Sequence, residues 1–216
     1  MKHEWIYFWG RLSTGEFFHF ARFNNESKRY SHLSLNGKFY EGDWVAGKHF
    51  FKTPHLQVGA EPISSHIPHF TQSSYYYYSI PFLEGVAQIK GKSLKVSLWF
   101  DFESNSEQTL SDWEWISLKL GEKIGVIIYK RERNSFAKFI IEDKSILSPF
   151  IVEGEQVTLT NLGLTYDLKP FNPEIIFHPT NGRPYSEQPF EVIFKGKKIG
   201  YGMRERTYHR GTNVNL

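Results

Sequence analysis

Residues 97–120 read SLWFDFESNSEQTLSDWEWISLKL. Three tryptophans, Trp99, Trp113 and Trp115, share this stretch with Asp101, Glu103 and Glu114. Side chains of a strand alternate between two faces. Val96, Leu98, Phe100 and Phe102 therefore fall on one face, and Ser97, Trp99, Asp101 and Glu103 on the other. In 113–120, Ile116, Leu118 and Leu120 form an apolar face edged by Glu114, with Trp113, Trp115, Ser117 and Lys119 opposite. If the two strands pair antiparallel across 104–112, matching their apolar faces places Asp101 near Trp115 and Glu103 near Trp113. The second face then has two readings. It is an outward surface with wet carboxylates, or it lines a pocket. In a pocket, a carboxyl packed on indole is desolvated, holds its proton to higher pH and can act as a general acid.

Strand patterns continue in both directions. EWIYFWGRL (4–12), EFFHFARF (16–23), LKVSLWFDFE (94–103), KIGVIIYKRE (123–132), FAKFIIE (136–142), PFEVIFKG (189–196) and KIGYGMRERTY (198–208) are rich in aromatic and β-branched residues. Turn residues separate them, and FKGKKIG (194–200) reads as a tight hairpin. No stretch combines helical periodicity with caps, so less than about a tenth of the chain should be helical. About a dozen short strands so spaced predict barrels or sandwiches. Residues Thr53–Ser74 hold three prolines and three histidines without alternation, and read as a long loop over the surface or a barrel mouth. No internal repeat of fixed period is visible.

The chain has 216 residues, enough for one large or two small β-domains with real cores. It has no cysteine, which excludes disulfides, thiolate metal sites and cysteine nucleophiles and fits a reducing compartment. The opening MKHEWIYFWG carries Glu4 in its apolar run and lacks a small-residue cleavage site, so it does not read as a signal peptide. No uncharged run is long enough for a membrane helix. A cytoplasmic protein is expected. The net charge of +3 is mild, and acidic residues interrupt both basic clusters, 129–133 and 204–210, so a nucleic-acid partner is not expected. The unusual figure is 17% aromatic residues, which suit strands and apolar pockets alike.

Four stretches resemble one family, that of carotenoid 1,2-hydratase (hydroxyneurosporene synthase) and the AttH-like lipocalins. SIPFLEGVAQIKGKSLKVSLWFDFE is similar to the segment in which a strand ends in Trp-x-Asp-x-Glu, here Trp99, Asp101 and Glu103. WEWISLKLGEKIGVIIYKRE resembles its Trp-x-Trp strand, the apolar strand that follows and a closing Tyr-x-Arg, here Tyr129 and Arg131. GKKIGYGMRERTYHRG resembles the terminal Gly-x-Gly-x-x-Glu-x-Thr, with Gly200, Gly202, Glu205 and Thr207. HEWIYFWGRL resembles the opening Glu-Trp-x-Tyr, here Glu4, Trp5 and Tyr7. The family usually has a longer chain, and often a histidine where Phe102 follows Asp101. The resemblance implies an all-β protein of two abbreviated lipocalin-like (calycin) barrel or sandwich halves, 1–104 and 112–216, packed around an apolar pocket. A boundary there would assign strands 96–103 and 113–120 to different halves. It also implies cofactor-free chemistry without a metal; relatives include a carotenoid hydratase and cyclases such as Diels–Alderases. Fold does not fix function, so the substrate does not carry over.

Other groups are less informative. His3, Trp5, Tyr7 and Trp9 share a face and read best as core aromatics with satisfied polar tips. Tyr201, Met203, Glu205, Thr207 and His209 share another, where Glu205 is either a paired buried group or a site acid; Arg204 and Arg206 point away from it. Gly200 and Gly202 suggest close backbone approach or a bend. His66 and His69 in SHIPH lack further ligands at zinc spacing, and neither a nucleophile elbow nor a complete dinucleotide fingerprint occurs.

The expectation is a cofactor-free cyclase of an apolar polyene or a polyketide- or terpenoid-type small molecule of secondary metabolism. Trp99, Trp113, Trp115, Tyr7, Trp5, Tyr129, Arg131 and Tyr201 would bind substrate, and Asp101, Glu205 or Glu103 would act as acid. Cyclisation is preferred to hydration because it asks less of a histidine beside Asp101. The alternatives are a hydratase of an unsaturated lipid and a lipocalin-like carrier without chemistry. Between the carboxylates, Asp101 should matter more than Glu103, which sits at the strand end nearer solvent.

Overall fold

The computed structural model describes residues 3–25, 29–72, 74–106, 112–132, 134–171, 173–177 and 185–207. The chain divides into two compact units, Met1–Gln108 and Thr109–Leu216. The first contains β1 (His3–Leu12), β2 (Phe17–Asn25), β3 (Arg29–Leu35), β4 (Lys38–Gly42), β5 (Val45–Gly47), β6 (Phe50–Lys52), β7 (Gln57–Pro62), β8 (Ile67–Gln72), β9 (Tyr75–Ile89) and β10 (Lys92–Asn105). The second contains β11 (Trp113–Lys119), β12 (Ile124–Arg131), β13 (Phe136–Ile141), β14 (Lys144–Ser148), β15 (Phe150–Glu153), β16 (Gln156–Leu159), β17 (Leu164–Pro170), β18 (Ile175–Phe177), β19 (Tyr185–Phe194) and β20 (Lys197–Thr207). Among the described residues the only helical element is a single 3₁₀ turn, Thr160–Leu162.

Each unit is one antiparallel sheet. The first runs β4-β3-β2-β1-β10-β9-β7-β6-β5, with β8 also pairing with β9. Its two outermost strands, β4 and β5, are separated in sequence by Asp43 and Trp44 alone. Two residues span at most about 7 Å, so the edges of the sheet are brought together and the sheet must roll into a barrel. The second unit has the same path, β14-β13-β12-β11-β20-β19-β17-β16-β15, with β18 on β19. Only Pro149 separates its edge strands, and the same closure follows. The fold is all-β, two lipocalin-like barrels in one chain.

Alternation builds a core on one face of each sheet. Phe8, Phe18, Phe20, Leu33, Phe51, Leu98 and Phe100 fill the first. Ile116, Leu118, Val126, Ile128, Tyr166, Leu168 and Phe190 fill the second. Buried aromatics of this size each stabilise a fold by a few kcal/mol, roughly 25 cal/mol per Å² of apolar surface removed from water. The hairpins need a backbone that turns with positive φ at two successive positions. Lys195 and Gly196 supply it in the predicted FKGKKIG hairpin, at 49° and 75°. Lys90 and Gly91 have the same angles at the β9–β10 turn, and Asn36 and Gly37 turn β3 into β4 at 51° and 74°. Gly200 and Gly202 serve close approach, as their position suggested. A Cβ on Gly200 would lie 1.9 Å from the Lys119 carbonyl oxygen, and one on Gly202 would lie 2.3 Å from the Phe190 ring.

One expectation fails, and two open points are resolved. Residues 53–74 are not one long loop: β7 and β8 lie within them, both paired with β9. The prolines that obscured the pattern stand where a strand tolerates them, Pro62 at the end of β7 and Pro68 beside a bulge in β8. Strands 96–103 and 113–120 do not pair. β10 lies against β1 and β9, and β11 against β12 and β20, so Asp101 is opposite Tyr7 rather than Trp115, and Glu103 opposite Trp5 rather than Trp113. Finally, the ten-strand order of the first unit recurs in the second, an internal repeat whose traces in sequence are short: Glu4-Trp5-Ile6 with Glu114-Trp115-Ile116, and Lys90-Gly91-Lys92 with Lys195-Gly196-Lys197.

Each barrel buries a phenol with a titration consequence. Burial, with Tyr76 adding to it, pushes the Tyr78 phenol from 10.0 up to about 12, and burial alone does the same to Tyr166. A raised folded-state value means that the stability these groups support is fully present below pH 10 and is lost as pH rises from about 10 towards about 12. Thermal melts through that interval should fall steeply while the phenolate absorbance of a late-ionising fraction appears. Tyr78→Phe and Tyr166→Phe together should flatten the fall; an unchanged slope would show that other groups control it.

Candidate functional site

The face of the first sheet opposite its Phe-rich core carries the chemistry. Pairing puts Trp9 opposite Trp99, Tyr7 opposite Asp101 and Trp5 opposite Glu103. On the other side of β10, Ser79 lies opposite Asp101 and Tyr77 opposite Glu103. Across β1, His19, Ala21 and Phe23 of β2 continue the row. The rings form a continuous surface: Trp9 stacks on Trp99 at 6.0 Å, Trp5 on Tyr7 at 5.8 Å and Tyr7 on His19 at 6.1 Å, while Trp5 packs against Phe23 at 4.3 Å. His3, Trp5, Tyr7 and Trp9, read as core aromatics, thus share their face with the carboxylates and not with the core.

Burial grades along this face. Trp9 and Trp99 are sealed at 1% and 0% exposure, Asp101 is at 1% and Tyr7 at 9%. Trp5 and Glu103 are half-buried. Asp101 is therefore the deeper carboxyl, as its place within the strand implied. Glu103 accepts a hydrogen bond from Asn105 Nδ2 at 2.8 Å. Asp101 Oδ1 accepts from the Tyr77 hydroxyl at 3.2 Å and, in a short contact, from the Ser79 hydroxyl. A carboxylate at this depth persists when hydrogen-bond donors replace water.

The chain of contacts goes on. Ser79 Oγ lies 2.8 Å from His69 Nε2. Since the Ser79 hydroxyl proton is directed at Asp101, its oxygen accepts from Nε2–H, and neutral His69 carries its proton on Nε2. β8 has a bulge at this point. The pairs run Ile67 to Ser79, Pro68 to Tyr78 and then Phe70 to Tyr77, so His69 is the extra residue. Bulges re-aim a side chain in this way and concentrate near functional sites. His69 is half-buried and packs on the Tyr77 ring at 4.6 Å. Sequence reasoning missed Tyr77, Ser79 and His69. The available signal was that Tyr75, Tyr77 and Ser79 alternate with Tyr76, Tyr78 and Ile80.

The remaining candidates belong to the second unit. Trp115 is opposite Glu205 on β20 and Tyr129 on β12; Trp113 is opposite Arg131; Tyr201 is opposite Lys119. Glu205, at 2% exposure, accepts from the Tyr185 hydroxyl at 2.6 Å, and its cross-strand neighbour on β19 is the equally buried Glu187. The Arg131 guanidinium reaches the Tyr129 hydroxyl at 3.5 Å, and Trp113 packs on Tyr185 at 6.0 Å. Lys198 lies 4.6 Å over the Tyr201 ring. Arg204 pairs with Glu114 and Arg206 with Glu174, so both point away from Glu205 as alternation required. His209 lies outside the described residues, as do 107–111 of the expected boundary. The single reading of one shared face thus becomes two clusters, each within its own sheet.

The two clusters correspond under the repeat. Trp5 and Trp115 begin matching strands, and each has a glutamate directly across, Glu103 and Glu205. Two residues before these glutamates stand Asp101 and Met203. Opposite them on the neighbouring strand are Ser79 and Pro189. The Trp–Glu pair is common to both units, whereas among the described residues the carboxyl–hydroxyl–histidine chain occurs in the first.

These features define a lipocalin-like fold with an aromatic face around a buried carboxyl. No protein-family model and no curated protein sequence matches the chain. Solved structures do. The crystal structure of an AttH protein from Nitrosomonas europaea is similar with a TM-score of 0.68 and 17% identity, over 96% of this chain and 92% of that one. Kievitone hydratase from Nectria haematococca is similar with a TM-score of 0.67 and 12% identity, over 96% and 89%. The resemblance to AttH-like lipocalins read from Trp99, Asp101, Glu103 and their companion motifs holds in three dimensions: the chain has their fold. Among the described residues no helix is long and apolar enough to cross a membrane.

Proposed function

We propose that the protein is a cofactor-free hydratase of an apolar, unsaturated small molecule, with Asp101 as its acid. The observation that carries this reading is the Asp101 carboxyl, buried among indole and phenol rings and held by the hydroxyls of Tyr77 and Ser79. Protonated Asp101 gives its proton to one carbon of a C=C bond. The other carbon becomes electron-deficient, and the faces of Trp99, Trp5 and Tyr7 favour that positive charge. Water adds to this carbon and releases one proton to the bulk, so the product is substrate plus one water and Asp101 is left as the carboxylate until it is reprotonated. Trp5 and Glu103, less buried than Asp101, mark the side from which a substrate would approach. The fold shared with kievitone hydratase supports the class of reaction and leaves the substrate open.

The chemistry of histidine moves hydration ahead of cyclisation. Cyclisation was favoured by Phe102, which stands where a histidine would otherwise follow Asp101. His69 supplies an imidazole to the same carboxyl through Ser79. Acid-assisted cyclisation remains the second reading, since a protonated polyene on an aromatic face can be captured by its own double bond as well as by water. Glu205, Trp113, Trp115, Tyr129, Arg131 and Tyr201 form a separate aromatic and polar cluster within the second unit, where Glu205 accepts from the Tyr185 hydroxyl.

The test is turnover in heavy-oxygen water, with kievitone and a panel of apolar polyenes and unsaturated phenols as substrates. Hydration predicts a product heavier by one labelled water, and none with Asp101→Asn. An isomer of unchanged mass would establish cyclisation. Binding of panel members without any product would establish the carrier.

A further inference from the structure

We propose that His69 is the proton donor that reloads Asp101, with the Ser79 hydroxyl as carrier. The inference rests on Asp101 being the acid and names how that acid is reloaded. A carboxyl at 1% exposure cannot be recharged by direct contact with water. Its Oδ1 has two hydroxyl neighbours. The Ser79 hydroxyl oxygen also meets His69 Nε2 at 2.8 Å. Imidazole is the side chain whose charge changes near neutral pH.

The transfer is balanced. Imidazolium His69 passes its Nε2 proton to Ser79 Oγ while the Ser79 hydroxyl proton moves to Asp101 Oδ1. Serine ends with one proton as it began, and its new O–H bond points at the bare Nε2. Asp101 is then a neutral acid and His69 a neutral imidazole protonated on Nδ1. The titratable groups facing this chain within the unit are Tyr77 on β9, Glu103 beside Asp101 on β10, Tyr7 on β1 and, beyond Tyr7, His19 on β2. Ser79 is bonded to both the Asp101 carboxyl and the His69 imidazole.

Coupling of His69 to Asp101 can be read without turnover, by NMR titration of the imidazole resonances of the whole protein. In the wild type, neutral His69 should be the Nε2–H tautomer. Asp101→Asn removes a negative charge two hydrogen bonds away and should lower the His69 midpoint by about half a pH unit or more. Ser79→Ala should leave the fold intact and convert neutral His69 to a mixture of tautomers. An Asp101→Asn midpoint equal to wild type, or a Ser79→Ala tautomer equal to wild type, overturns the relay. Both shifts without any product in the heavy-oxygen assay would keep the relay and reject hydration. Product formation that survives in Ser79→Ala and His69→Gln at the wild-type rate and pH profile would keep hydration and reject the relay.

Discussion

Asp101→Asn should fold with an unchanged melting temperature and lose about 10²-fold or more of its turnover, the usual worth of a general acid. Asparagine keeps the shape of the side chain, and its amide oxygen can still accept from the Tyr77 and Ser79 hydroxyls. What disappears is the proton. Glu103→Gln should cost far less, because Glu103 is half-buried and bonded to the neighbouring Asn105. The internal repeat strengthens this ranking. The glutamate opposite the first tryptophan is retained in both units, as expected of a part that serves the sheet, whereas Asp101 has Met203 as its counterpart. Thermal melts and single-turnover rates on the same samples separate the possibilities. An asparagine variant that melts early, with a fully active folded fraction, would make Asp101 a structural residue.

Phe100→Ala, one residue earlier, should do the reverse. Phe100 is buried at 1% and packs against Phe8 at 4.9 Å and Tyr78 at 6.0 Å within the barrel core. Removing such a ring leaves a cavity that the neighbouring strands cannot close, at a cost of about 3–5 kcal/mol. Urea denaturation should show the midpoint falling while the slope is kept. The fraction still folded should retain its turnover per molecule, since Phe100 lies on the face away from Asp101. A loss below about 1 kcal/mol would mean that the core can repack around position 100. Two neighbouring residues with opposite phenotypes would be direct evidence for the alternation on which the site is built.

That alternation is also the part of the molecule most legible in the sequence. Phe100 and Asp101 could be assigned to opposite faces from their spacing alone, because a strand leaves a side chain no other choice. Pairing was not legible. β10 finds β1 across 79 intervening residues, and no local signal prefers Tyr7 over Trp115 as the neighbour of Asp101. The nearer strand in sequence looked equally suitable, with the same apolar and aromatic faces. His69 was hidden for a different reason. In HIPHF, proline and histidine suggest irregular backbone, yet a strand bound on one side only can hold a proline beside a bulge. The irregularity that spoiled the pattern is the bulge in which His69 stands.

In each barrel the first and last strands of the unit are neighbours at the middle of the sheet: β1 beside β10, and β11 beside β20. Assembly order follows from this. Local hairpins such as β2–β3 and β9–β10 can form as soon as their turns exist, within microseconds. The central ladder cannot close until the final strand of the unit is available, and contacts of such long sequence separation slow folding. During synthesis the first barrel must wait for Asn105, with the indole face of β1 exposed until then. The second waits for β20, at the far end of the described chain. A truncation that removes Lys197–Thr207 would not trim an edge; it would take out the strand between β11 and β19 and leave both without their central partner.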